Sequence, residues 1–197
     1  MYANYAEFEK HKVACRDCAV GNIYDKVVCS DGCTIDPVIM VIGEGPGRDE
    51  VIHGKPFVGR AGKLLRSTIN EFGFRTTNTV ISNVIPCRPK DNKFPTDVKL
   101  VRQCVKKWLF NEIILLKPSY LLLLGNQPLK YVLGLTGITK QRGSWKTFNI
   151  DTMNIECMPT LHPSYVLRKQ YMSDGASISK NFRDDIKIVA KRAGLIR

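Results

Sequence analysis

The chain has 197 residues, 44% of them hydrophobic and 24% charged, enough for one domain with a full core and no disulfide staples. Lysine and arginine number 30 against 18 acidic residues, a net charge of +12. That balance excludes an acidic disordered tail and makes a polyanion such as nucleic acid the first partner to consider. No apolar run reaches the length that spans a bilayer. Met1 to Lys12 is polar and of mixed charge, without the apolar core of a secretion signal. A cytoplasmic protein with no membrane partner is expected. Thiols stay reduced there, so the seven cysteines point to metal or cluster ligation rather than to disulfides.

In chain order, residues 1–36 form a cysteine-bearing arm on a single domain of residues 1–197. Pro37 to Ile42 is a short continuous apolar run, read as a buried strand. It enters Gly43-Glu44-Gly45-Pro46-Gly47, which neither a helix nor a strand interior tolerates. Leu64, Leu65, Ile69 and Phe72 recur at helical spacing within Gly59 to Phe72, and Gly73 closes that helix. Thr79 to Ile85 is rich in β-branched residues and reads as a second strand. A long helix starts near Pro95, runs to about Leu116 and is stopped by Pro118. Ser119 to Leu124 is a third strand, followed by a turn at 125–128 and a short helix to about Leu133. Asn154 to Leu161 is a fourth strand, and a last helix fits Ser179 to Arg192. This alternation predicts an α/β fold: a three-layer α/β/α sandwich around a four-stranded, mostly parallel sheet. Sites in such folds lie at the carboxyl ends of the strands. Those ends lead into the loops 43–57, 83–95, 125–128 and 162–168, the least regular segments of the chain.

Each loop carries a residue with two readings. The glycines at 43, 45 and 47 make a tight turn, or let backbone N–H groups approach a ligand. Glu44 within that turn stands at the mouth of the sheet, where a carboxylate can act as a base or a hydrogen-bond acceptor; Asp49 and Glu50 follow close behind. Phe57, in a Gly/Pro-rich loop, is either a core plug or a platform for a base. Asn83 ends the second strand, and its amide offers the donor and acceptor that match a pyrimidine edge. His162, followed by Pro163-Ser164-Tyr165-Val166-Leu167-Arg168, is the only one of three histidines at a predicted strand end. The cysteines allow two ligand sets. Cys15, Cys18, Cys29 and Cys33 could form a compact zinc site, which spacing alone favours. Cys15 and Cys18 could instead join Cys87 and Cys104 around an iron–sulfur cluster. Cys157 lies in a strand and reads as core.

Taken in order, Gly43-Glu44-Gly45-Pro46-Gly47, Gly54-Lys55-Pro56-Phe57-Val58-Gly59-Arg60-Ala61-Gly62 and Asn83-Val84-Ile85-Pro86-Cys87-Arg88-Pro89 form a recognisable series. Leu124-Gly125-Asn126 and His162-Pro163-Ser164-Tyr165-Val166-Leu167-Arg168 complete it. The chain resembles the iron–sulfur uracil-DNA glycosylases, family 4 of that superfamily, found in bacteria, archaea and their phages. The resemblance implies a four-iron, four-sulfur cluster on Cys15, Cys18, Cys87 and Cys104, leaving Cys29 and Cys33 without a role. It implies that Asn83 reads the uracil edge, Phe57 stacks on the ring and His162 hydrogen-bonds the uracil O2. Gly43, Glu44 and Gly45 would line the pocket and position water, with Glu44 the candidate general base. Ser164, Leu167 and Arg168 would contact DNA, the last two from a loop that enters the duplex.

The implied protein is a monomeric DNA-repair hydrolase acting on uracil in single- or double-stranded DNA. A flipped base costs a few kcal/mol of unstacking, and a basic surface supplies phosphate contacts. The alternative is a non-catalytic DNA-binding protein of the same fold, such as a phage replication accessory. The zinc site on Cys15, Cys18, Cys29 and Cys33 is the alternative cofactor.

Overall fold

The computed structural model describes residues 2–18 and 26–197. Within them a six-stranded sheet has the spatial order β1-β3-β2-β4-β6-β5. The strands are β1 (Asp31–Gly32), β2 (Ile39–Gly43), β3 (Thr79–Asn83), β4 (Tyr120–Leu124), β5 (Lys146–Ile150) and β6 (Met153–Thr160). The central four, β3-β2-β4-β6, are all parallel, as the alternation predicts. The sheet nevertheless has six strands rather than four, because an antiparallel strand is added at each edge. β1 contributes two residues from the arm, Asp31 opposite Ile81 and Gly32 opposite Val80. β5 forms a hairpin with β6 across a turn at Asp151, whose φ of +51° is one that Asp tolerates better than most residues. Only Phe148 is buried in β5, so the strand carries too little apolar signal to stand out.

Successive residues of β2 face opposite ways. Ile39 and Val41 join one core with Leu65, Ile69, Phe182 and Ile186, while Met40 and Ile42 join the other with Val101, Leu109 and Ile113. The first core is covered by α3 (Arg60–Glu71), α8 (Pro163–Lys169) and α9 (Gly175–Arg192). Over the second runs the long helix expected near 95–116, starting at an Asp97 cap. It is not uniform: α4 (Val98–Cys104) passes through a π-helical turn at Val105–Phe110 into α5 (Asn111–Leu116). Burying each of these aliphatic side chains contributes about 1.5–3 kcal/mol, so the two cores carry the sandwich. The remaining helices are α1 (Tyr5–Val13), α2 (Arg48–His53), α6 (Asn126–Leu133) and α7 (Ile138–Gln141). α1 docks through Phe8, whose ring meets Trp108 edge-on at 5.8 Å. No helix among the described residues is long and apolar enough to cross a membrane.

Strand order reverses at β2. The chain steps from β2 to β3 on one side, then returns to β4 and β6 on the other. A crevice at the carboxyl ends of the strands is the geometric consequence. Gly43 and Asn83 lie opposite each other at that end, as do Leu124 and Thr160.

Candidate active site

A cleft of about 600 Å³ opens at this switch point. Its walls come from all four parallel strand ends. Glu44 and Gly45 follow β2, Asn83 ends β3, Gly125 follows β4 and His162 follows β6. Phe57, Ser164 and Arg168 complete the set of expected residues that line it.

Gly43 sits beneath these side chains. A Cβ there would lie 2.4 Å from the Phe57 ring and 2.5 Å from Asn83 Oδ1. Glycine is what allows ring and amide to share one corner of the cleft. Asn83 is 8% exposed, and its Oδ1 has no hydrogen-bond partner. A buried acceptor without a donor costs about 1–3 kcal/mol. Such an atom facing a cleft is poised for a ligand's N–H.

The segment 162–168 is a helix rather than a loop. His162 is the N-cap of α8 and Pro163 takes the first helical position, where its missing N–H costs nothing. His162 Nδ1 accepts from the Ser164 backbone N–H at 3.2 Å, and the Ser164 hydroxyl lies 2.7 Å from the same nitrogen. Arg168 in turn donates to Ser164 Oγ at 3.2 Å. A nitrogen that accepts a backbone N–H carries no proton of its own, so in neutral His162 the hydrogen is on Nε2. Burial, aided by the Arg168 charge, pushes the His162 pKa down to about 4. The imidazole is therefore neutral near pH 7 and presents an N–H donor. Its ring lies 6.0 Å from Phe57.

Glu44 is half-buried. Burial raises its pKa, and Arg168 pulls the other way. The neighbouring carboxylates are differently engaged. Glu50 Oε1 accepts the backbone N–H groups of Val58 and Gly59, both at 3.2 Å. Asp49 is paired with Arg48 at 3.7 Å. Leu167 is partly buried on α8 and does not line the cleft.

The cysteines separate into two groups. Burial, with Cys15 and Cys18 close by, pushes the Cys87 thiol up to about 12. Cys104, the last residue of α4, is likewise raised to about 12 by burial and then by Cys87, Cys18 and Cys15. Asp17, between Cys15 and Cys18, pairs with Lys107, one helical turn beyond Cys104. Cys29 is raised to about 11 by burial, and the charges acting on it are Lys12, Glu9 and Glu112. Cys33 is tied at the far end of β3, its N–H bonded to the Thr79 carbonyl at 2.9 Å. About 13 Å of strand separates that end from the loop carrying Cys87. The structure thus brings together Cys15, Cys18, Cys87 and Cys104, and does not gather the set with Cys29 and Cys33. Among the described residues no three His, Cys, Asp or Glu side chains converge closely enough for a single ion. Cys157 is a fully buried core residue.

The sequence reading missed a polar cluster behind the site. Glu112, fully buried, accepts from Lys12 at 3.0 Å, Tyr5 at 2.9 Å, Ser30 at 2.6 Å and Ser82 at 2.8 Å. The available signal was its position between Leu109, Ile113 and Leu116 on the apolar face of a helix, where a carboxylate needs partners. Asn126 and Gln127, in the 125–128 loop expected at a strand end but not singled out as site residues, also line the cleft, as does Thr139, which the sequence reading missed.

The family model of the uracil DNA glycosylase superfamily matches residues 29–187. The chain belongs to the uracil-DNA glycosylase superfamily. A type-4 uracil-DNA glycosylase of Thermotoga maritima is 35% identical over 159 residues, 79% of this chain and 79% of that protein. The type-4 uracil-DNA glycosylase of Saccharolobus solfataricus is 34% identical over 159 residues, covering 78% and 72% of the two chains. A segment of a DNA polymerase of Bacillus phage SP01 is 28% identical over 137 residues, 69% of this chain but 14% of that protein. The superfamily match spans every strand of the glycosylase sheet and all the cleft residues named above.

Proposed function

We propose that this glycosylase takes uracil out of DNA into the cleft and hydrolyses its N-glycosidic bond, leaving an abasic site. The observation that carries this reading is the unpartnered, buried Oδ1 of Asn83, beside Phe57 in the cleft that His162 also lines. Uracil presents an N3–H donor beside an O4 acceptor. Asn83 Oδ1 accepts the first and its amide N–H donates to the second. Cytosine offers an acceptor and an amine at those positions, so both contacts turn repulsive and an unpaired buried group remains. Phe57 supplies the stacking surface.

As the C1′–N1 bond breaks, its electron pair stays on uracil and negative charge gathers on O2. A neutral His162 with its proton on Nε2 donates to that oxygen, as an oxyanion-hole donor does. Glu44 faces the same space and is the carboxylate available to orient water and take up its proton as the sugar cation is captured. Ser164, Leu167 and Arg168 are the DNA contacts, on or beside the helix that His162 caps.

Cys15, Cys18, Cys87 and Cys104 are proposed to hold a four-iron, four-sulfur cluster. The burial of Cys87 and Cys104, with Cys15 and Cys18 close to both, fits four thiolates that would each bind a different iron rather than share one zinc ion. The bound cluster would act as a staple between the N-terminal arm, the loop after β3 and α4. Iron and acid-labile sulfide in protein purified without oxygen test this; one zinc and no iron would overturn it.

The function is tested with DNA, single-stranded and duplex, carrying one uracil, followed by alkaline cleavage at abasic sites. Cleavage by the native protein and its loss in His162→Ala are expected. The segment in the phage polymerase favours a second reading, a uracil-DNA-binding accessory without turnover. Tight binding of the same DNA with no uracil released would select that reading.

A further inference from the structure

Phe57 has a φ of +54°, a left-handed conformation that bulky side chains rarely adopt. Such strain persists only where the surroundings over-determine it. Two features do so here. A Cβ on Gly62 of α3 would lie 2.1 Å from both the carbonyl carbon and oxygen of Phe57, so the helix backbone itself supports that peptide. One turn further along α3, Arg66 spans two successive carbonyls. Its Nε donates to the Phe57 oxygen at 2.9 Å and its terminal nitrogen donates to the Pro56 oxygen at 2.7 Å.

Arg66 is aimed from the other side. The same terminal nitrogen meets Asp31 Oδ2 at 2.8 Å, and Lys55 approaches the other Asp31 oxygen at 3.4 Å. Asp31 is not a surface accident of a loop. It lies in β1, paired with Ile81 of β3, in the arm between Cys29 and Cys33. The arm therefore reaches the turn that carries Phe57 through the Asp31 side chain.

We propose that Arg66, held by Asp31, is a positioning clamp that sets the Phe57 ring in place for stacking on uracil. This rests on the reading of Phe57 as the stacking platform. Guanidinium is suited to the task because its planar fork holds two acceptors at fixed angles, which an ammonium does not. The pair is not a stability device. The Arg66 side chain is 32% exposed and that of Asp31 is 21% exposed, and partly solvated ion pairs contribute little to folding. What the clamp fixes is one backbone angle, and small misplacements next to a reacting centre are amplified in rate.

Inhibition by free uracil reads the stacking site directly, and affinity for uracil-free duplex reads the rest of the surface. Arg66→Ala is expected to raise the uracil inhibition constant and lower kcat, each about tenfold, with duplex affinity unchanged. Arg66→Lys should recover only part of the loss. In a Phe57→Ala background, Arg66→Ala should add nothing, because the clamp acts through that ring. Unchanged uracil inhibition in Arg66→Ala, or losses that multiply in the double variant, would overturn the clamp while leaving Phe57 as platform. Unchanged inhibition in Phe57→Ala alone would instead overturn the stacking reading. Should Arg66→Ala fail to fold, Asp31→Asn carries the same comparison with a smaller expected shift, about threefold; no shift there would overturn the clamp.

Discussion

Two side chains in the cleft are poor for folding and suited to the proposed chemistry. Asn83 leaves a buried oxygen without a donor, a cost that the proposed recognition of uracil would relieve by supplying an N–H. Asn83→Ala should therefore lower kcat/KM about 100-fold or more, the scale of losing one preorganised hydrogen-bonding group. Its urea midpoint should stay level or rise, since the unsatisfied atom is gone. A clear drop in the midpoint would mean that the amide has a structural partner. His162 is the second case. Its folded pKa of about 4 lies below the ordinary 6.5. The unfolded chain binds this proton first, so the contribution to stability is whole above about 6.5 and is lost as pH falls towards 4. Arg168 lowers the pKa of both His162 and Glu44 by its charge. Arg168→Ala should raise both. If Glu44 must be ionised to handle water, the acid limb of the pH–kcat profile moves to higher pH in that variant. A limb that stays put would remove Glu44 from the base role.

Elements show why some of this was legible and some was not. β2 and β4 stand out as short, nearly continuous apolar runs and β3 as a β-branched one, and the order of the strands along the chain placed the crevice. β1 and β5 did not stand out, because two residues in one and a single buried Phe148 in the other carry no pattern. α8 was hidden inside a motif: His-Pro-Ser reads as a turn, yet the same residues make an N-cap and a first-turn proline. Asn83 and His162 were legible as oddities at strand ends, and Phe57 as an aromatic in a Gly/Pro-rich loop. Glu112 was not, because its partners come from α1, the arm and β3, which are distant in sequence. Burial, the largest influence on Glu112, raises its pKa, but Lys12 and the hydroxyls of Ser30 and Ser82 outweigh it, and the net direction is down. This stabilisation is present above the unfolded carboxylate range and lost as pH falls through the lower folded value. Lys12→Met would strand the buried carboxylate and should cost about 3–5 kcal/mol in urea unfolding. Adding Glu112→Gln to that variant should restore part of the loss. A cost below about 1 kcal/mol for Lys12→Met would mark the pair as a surface-type bridge, against its burial.

At the scale of the molecule, a charge of +12 has to act on something larger than one base. The cleft itself holds few of these charges, so the excess is spread over the surrounding surface. It supplies affinity for the backbone and not selectivity for uracil. Arg48 is placed to show the difference. It opens α2, directly after the cleft residue Gly47, and its side chain is 77% exposed and loosely in contact with Asp49. Each phosphate neutralised contributes about −0.9 to the slope of log affinity against log salt. Arg48→Ala should flatten that slope by about one and weaken uracil-containing and uracil-free duplexes by the same factor. Titrations of both duplexes over a range of sodium chloride concentrations measure it. A loss confined to the uracil-containing duplex would instead place Arg48 in base recognition, and the division between a neutral reading pocket and a cationic surround would not hold.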